Sequence, residues 1–125
     1  MDKGSGSLAV FVVEDEALLK MMIIEMLEEL GHRVFSDASR IEQAIPLART
    51  AEFDLALLDV NVAGEMITPV ARIVAARNRP IVFSTGYGPS GIPEGFRDRI
   101  VLRKPFMIEN LERTIQLAVS NYPVS

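Results

Sequence analysis

Phe53-Asp54-Leu55-Ala56-Leu57-Leu58-Asp59-Val60-Asn61 is a short apolar run that ends in one acidic residue. The run is too short for a helix. It predicts a strand over 53–58, buried on both faces as in a parallel sheet, that delivers Asp59 at its carboxyl end. Leu8-Ala9-Val10-Phe11-Val12-Val13 repeats the pattern and ends in Glu14-Asp15-Glu16. Two buried strands therefore push carboxylates out at the same kind of edge.

Between these strands, the spacing of Leu19, Ile23, Met26, Leu27 and Leu30 predicts a helix over 16–30 that Gly31 stops. Leu18, Met21, Met22 and Ile24 make it more apolar than one buried face requires. His32 to Phe35 reads as a short second strand. His32, the only histidine, is expected to be a solvated boundary residue without chemistry. Ser39-Arg40-Ile41-Glu42 fits a capping box for a second helix, and Pro46 inside it removes a backbone donor and predicts a kink or a poor second turn.

After the Asp59 strand, Thr68-Pro69 predicts a third helix over 69–77, with Thr68 as its N-cap. Pro80 to Ser84 is a strand that closes in Thr85-Gly86-Tyr87-Gly88, and Ile100-Val101-Leu102 is another, followed by Lys104-Pro105. Ile108, Leu111, Ile115, Ala118 and Val119 then recur at core spacing in a last helix over 107–119. Between Thr85 and Lys104, Gly86, Gly88, Gly91, Gly95, Pro89 and Pro93 oppose helix formation. Each glycine weakens a helix by about 1 kcal/mol and an interior proline by about 3 kcal/mol. A helix there is expected to be absent or reduced to a turn or two around 93–98. The segment 86–98 is expected to be mobile at rest and to become ordered in a second state, with Tyr87 changing position.

Five strands alternating with helices predict an α/β, flavodoxin-like, doubly wound five-stranded parallel sheet in the order 2-1-3-4-5. In that order the switch point lies between strands one and three, at whose carboxyl ends ligands bind. The two acidic strand ends belong to those strands. A flavin or dinucleotide phosphate would need a glycine-rich turn after strand one, and Glu14-Asp15-Glu16 repels phosphate instead. Two carboxylates about 4 Å apart repel by roughly 4 kcal/mol at an effective dielectric near 20. A counter-cation relieves that cost, and Mg²⁺, which takes oxygen ligands and keeps several waters, suits a site of few carboxylates. Mg²⁺ beside Asp59 permits attack of the carboxylate on a phosphoryl group, with Thr85 and Lys104 as donors at the two remaining strand ends. Pro105 restricts the backbone after Lys104 and favours a cis Lys104–Pro105 bond.

The chain has 125 residues, 49% of them hydrophobic, and a formal charge of −4. That length fits one domain, expected over 8–121, after a polar Gly/Ser segment over 1–7 that is expected to be disordered. The absence of cysteine excludes disulfides and thiolate metal sites in this chain and fits a cytoplasmic location. Basic residues are scattered, so no nucleic-acid partner is expected, and no apolar stretch is long enough for a membrane span.

Glu14-Asp15, Asp59, Thr85 and Lys104-Pro105-Phe106, each at a strand end, resemble the signature of the response-regulator receiver domain of two-component systems. The resemblance runs from Leu8 to Val119. It implies an Mg²⁺-dependent phosphoacceptor, phosphorylated on Asp59 by a histidine kinase or histidine phosphotransfer protein, that signals to a downstream protein. It also implies that Asp15 and Asp59 bind the metal directly, Glu14 through water and Asn61 through its backbone carbonyl. Thr85 would be the switch hydroxyl and Lys104 the phosphate partner. Such a protein is not an enzyme beyond self-directed phosphotransfer and autodephosphorylation. Phe83-Ser84-Thr85-Gly86-Tyr87-Gly88 resembles the Thr-Gly-Tyr loop of a stand-alone subgroup without an output domain. The chain departs from the common pattern at Ala63, where many receivers carry proline, and at Val101, where an aromatic is usual. Two rival readings are a Mg²⁺-dependent aspartyl-phosphate phosphatase and a receiver-like module that binds without phosphorylation. The first is opposed by Asn61, where such phosphatases carry a second acid. The second is opposed by retention of every signature residue.

Overall fold

The computed structural model describes residues 6–86 and 91–121. The expected disorder of the first residues, and the placement of Tyr87, Gly88 and Pro89, fall partly or wholly outside that range. Among the described residues seven strands and four α-helices follow in order: β1 (Ala9–Val13), α1 (Ala17–Glu29), β2 (Arg33–Ala38), α2 (Ile41–Thr50), β3 (Leu55–Asp59), β4 (Asn61–Val62), β5 (Glu65–Met66), α3 (Thr68–Ala76), β6 (Ile81–Thr85), β7 (Ile100–Arg103) and α4 (Ile108–Asn121). The main sheet is wholly parallel, in the order β2-β1-β3-β6-β7. Counted without the small β4–β5 hairpin, that is the predicted 2-1-3-4-5.

Alternation along each strand divides the core in two. Val10, Val12, Leu55, Leu57, Val82 and Leu102 face α1 and α4, where Ile23, Leu27, Leu111, Ile115 and Ala118 meet them. Phe11, Val13, Ala56, Leu58 and Phe83 face α2 and α3 on the other side. Burial on both faces is why the central strands read as unbroken apolar runs. The extra apolar residues of α1 divide: Leu18, Met21 and Met22 are exposed, and Ile24 is half-buried.

Helix ends follow local chemistry. Gly31, at φ +94°, closes α1: His32 N–H donates to the Leu27 carbonyl at 2.9 Å and Gly31 N–H to that of Glu28 at 3.0 Å. Asn78, at φ +60°, closes α3 the same way. The capping-box reading of Ser39 is corrected, because Arg40 is the N-cap of α2 and its side chain makes no cap bond. The Gln43 side chain reaches back to the Ser39 N–H at 3.2 Å, while the Ser39 hydroxyl accepts from Lys20 at 2.7 Å. Thr68 likewise starts α3 rather than capping it, since Ile67 is the N-cap. Pro46 lies inside a continuous α2.

No α-helix forms among the described residues between β6 and β7. Ile92 and Phe96 are buried there, against the core facing α2 and α3, and the Phe96 ring meets Phe83 edge-on at 5.7 Å. Two turns hold the backbone, with Phe96 N–H on the Pro93 carbonyl and Arg99 N–H on that of Phe96. These contacts form the turns expected around 93–98.

The β4–β5 hairpin is absent from the sequence reading. Its two-residue turn, Ala63-Gly64, has positive φ at both positions, 53° and 86°, as a type I′ turn requires. This explains the departure at Ala63, because proline is held near φ −65° and cannot take that conformation. The Ala63 N–H also donates to Asp15 Oδ2 at 3.1 Å. Ala63→Pro is therefore expected to destabilise the protein by about 3 kcal/mol. Ala63→Gly, which relieves a left-handed alanine, should change stability by no more than about 1 kcal/mol, in the stabilising direction. Urea unfolding of the two variants measures both effects.

Candidate functional site

β1 and β3 lie side by side at the centre of the sheet, and their carboxyl ends place Glu14, Asp15 and Asp59 together. One carboxylate oxygen from each lies within 4.8 Å of the others, so the three could hold a metal ion. Glu14 is 1% exposed and Asp59 is also buried, whereas Asp15 is half-buried. Lys104, delivered by the end of β7, closes the pocket with its Nζ 3.1 Å from Asp59 Oδ2 and 3.1 Å from Glu14 Oε1. The Lys104–Pro105 peptide is cis, as the sequence predicts. Thr85 ends β6, is buried, and accepts the Lys104 N–H at its carbonyl at 2.9 Å. All the predicted site residues thus meet at one edge of the sheet.

Main-chain donors orient the acids. Asp59 Oδ1 accepts from Asn61 N–H at 3.3 Å, Asp15 Oδ2 from Ala63 N–H, and Glu14 Oε2 from Glu16 N–H at 3.2 Å. The Asn61 side chain accepts from Gly64 N–H at 3.0 Å, which ties the hairpin to the pocket. Sequence reasoning missed this support, and the Ala-Gly pair was its only local signal.

Burial, followed by the nearby Asp59 charge, pushes Glu14 up to about 7. Asp59 is also raised, by burial, against the pull of Lys104. For Lys104, burial works to lower the pKa, but Asp59 and Glu14 outweigh it and the ammonium is held above its ordinary value. The pocket therefore carries more negative charge than one lysine neutralises. Glu14 Oε1 is buried and accepts no aligned hydrogen bond, although it lies at ion-pair distance from Lys104. Three carboxylates that share one lysine offer the oxygen donor set that a hard divalent cation takes.

His32 differs from expectation. It is half-buried, and its Nδ1 accepts the Leu8 N–H at 3.1 Å at the start of β1, far along the sheet from the acids. Burial lowers its pKa.

No family model matches the chain. Among solved structures it is similar to SdrG from Sphingomonas melonis Fr1, at 34% identity and a TM-score of 0.81, over 94% of this chain and 99% of SdrG. It is also similar to the response regulator REC domain of PhyR from Erythrobacter litoralis, at 29% identity and a TM-score of 0.82, over 98% of this chain and 99% of that one. The transcriptional regulatory protein PdtaR of Mycobacterium tuberculosis is 35% identical over 117 residues, which are 90% of this chain and 57% of PdtaR. The chain thus spans about half the length of that curated relative. No helix among the described residues is long and apolar enough to cross a membrane. End-to-end likeness to SdrG and to a REC domain, on a sheet whose switch point holds these acids, shows that the chain belongs to the response-regulator receiver-domain family of two-component signalling.

Proposed function

We propose that this chain is a cytoplasmic phosphoacceptor. Asp59 takes a phosphoryl group from a phosphohistidine of a histidine kinase or histidine phosphotransfer protein, and the phosphorylated surface then binds a downstream protein. The observation that supports this best is the juxtaposition of Asp59, two further acids and Lys104, all at the switch point. Asp15 and Asp59 would ligate Mg²⁺ directly, with Glu14 acting through water and the Asn61 backbone carbonyl as a further ligand. Bound there, Mg²⁺ would neutralise the acids and the incoming phosphate.

Asp59 supplies the nucleophilic oxygen. As that oxygen bonds to phosphorus, the bond from phosphorus to the donor's nitrogen breaks, and the donor leaves with the electron pair. Lys104, already 3.1 Å from Asp59, is placed to pair with the phosphoryl oxygens once the carboxylate has become an acyl phosphate. The Thr85 hydroxyl would supply a further donor. The phosphatase reading fares worse: Asn61, two residues after the nucleophile, offers an amide where a general acid would stand.

The test is incubation with acetyl phosphate and Mg²⁺, read by intact mass. One phosphoryl group per chain is expected. Uptake should be lost without Mg²⁺ and in Asp15→Ala, and wild-type uptake by Asp15→Ala would remove the acidic pocket as the metal site.

A further inference from the structure

β7 is the last strand of the sheet, so one of its edges has no neighbouring strand among the described residues. Its register with β6 is unbroken from Ile100 to Arg103. The Lys104 N–H bonds to the Thr85 carbonyl at 2.9 Å, on the β6 side. Alternation puts the main chain of Leu102 on that side too, and turns the N–H and C=O groups of Val101 and Arg103 outward. The opposite edge of the sheet differs. There the pairing of β2 with β1 skips Phe35, and an irregularity of that kind blunts an edge. Beside β7 lies a groove of about 500 Å³, between Val101 and Arg103 of the strand and Asn110, Arg113 and Thr114 of α4, with Lys104 also in its lining. No acid among the described residues lines it, although the whole chain carries a formal charge of −4. Lys104 is committed to Asp59 and Glu14. Arg103 and Arg113 are exposed and, among the described residues, stand in no ion pair.

We propose that this groove docks an extended, acidic segment of a partner protein, which adds to the outer edge of β7 as a sixth strand. Val101 and Arg103 each offer such a segment one main-chain N–H and one C=O, and its own backbone supplies the matching groups. Its carboxylates meet Arg103 from the strand and Arg113 from the helix, and a guanidinium pairs with a carboxylate through two parallel hydrogen bonds. The strand edge thus selects an extended backbone, and the arginines select its side chains. A short edge strand with a charged residue and a following proline is also how proteins keep edges from pairing with one another. Here that guard is selective, because Arg103 repels basic segments and attracts acidic ones. Pro105, the next outward position, has no N–H, so the added strand ends there. The site goes beyond the phosphoacceptor reading and does not rest on it, since it needs no phosphate and none of Glu14, Asp15 and Asp59 lines the groove.

The experiment uses the unphosphorylated protein and a fluorescein-labelled hexapeptide in which glutamate alternates with valine. Fluorescence anisotropy should show saturable binding at protein concentrations up to about 1 mM. Arg103→Glu and Arg113→Glu should each weaken it at least about tenfold. The same reversal at the exposed Arg49 of α2 is the control and should change it by less than about twofold. A peptide with proline in place of valine keeps the charge but loses N–H donors, and should bind at least about tenfold more weakly. In amide exchange read by NMR, Val101 and Arg103 of the wild-type protein should slow several-fold when the glutamate–valine peptide is bound. Leu102 and Lys104, whose N–H groups already point to β6, should not change. If an arginine variant misfolds, that exchange pattern and the two peptides decide the matter on the wild-type protein alone. No saturation in this range, an equal loss in Arg49→Glu, or unchanged exchange at Val101 and Arg103 in the bound state overturns the proposal. Equal binding of the proline peptide, or of a single-stranded hexanucleotide, also overturns it, because either leaves only attraction between opposite charges.

Discussion

Asp59→Asn is expected to take up no phosphate from acetyl phosphate and Mg²⁺, a loss of at least about a hundredfold, without loss of fold. The single amide oxygen, of the same shape, can keep either the contact with Lys104, which lies 3.1 Å from Asp59 Oδ2, or the one that Asn61 N–H makes with Oδ1, while the NH2 group replaces the other oxygen. The amide lacks the charge that makes the carboxylate a nucleophile. The substitution also removes a buried anion that burial already disfavours in its charged form. The unmodified variant is therefore expected to melt no lower than wild type in the absence of metal. Intact mass and a thermal melt read the two halves separately. Phosphate stably bound to the Asn variant would mean that another residue is the acceptor. A large fall in melting temperature would mean that the charge holds the pocket together rather than straining it.

The second large effect is on stability against pH. Glu14 has a folded-state pKa of about 7, against an ordinary value of 4.5, because it is buried and faces Asp59. The folded protein thus binds this proton more tightly than the unfolded chain does. Below pH 4.5 both states carry the proton and there is no penalty. As pH rises from 4.5 to 7 the unfolded chain releases it first, and stability falls. Above 7 the whole penalty stands, at most roughly 3 kcal/mol for this shift. The raised Asp59 adds in the same direction. Metal-free protein should therefore be more stable to urea at pH 5 than at pH 8, against the usual trend for acids with depressed pKa values. Glu14→Gln should flatten most of that slope. Identical slopes in the two proteins would mean that Glu14 is ionised at no cost, with Lys104 sufficient to offset it.

The sheet order, the two-sided burial of the central strands and the meeting of Glu14, Asp15, Asp59, Thr85 and Lys104 were all legible in the chain. The reason is physical. A parallel strand covered on both faces must be apolar throughout, so its first polar residue marks its carboxyl end. Right-handed crossovers then leave few ways to order five such strands. The glycines and prolines between β6 and β7 likewise announced the missing helix, because their cost is local to the backbone.

Tertiary structure alone decided features whose energy depends on partners distant in sequence. Ser39 has the composition of a helix cap, yet Lys20 from α1 engages its hydroxyl and the helix starts at another residue. His32 looks like a solvated boundary residue until β1 brings the Leu8 N–H to its ring. The turns over 93–99 were expected from the glycines and prolines, but which side chains anchor them was not, because the core supplies the place that Ile92 and Phe96 fill. Alanine at position 63 does not itself favour a left-handed turn, and beside Gly64 it adopts one where the hairpin presents its N–H to Asp15, 48 residues away. The strong local terms, apolar burial and backbone propensity, were enough to determine the fold and to gather the site residues. Which groups pair around the site was set by contacts that exist only once the strands are side by side.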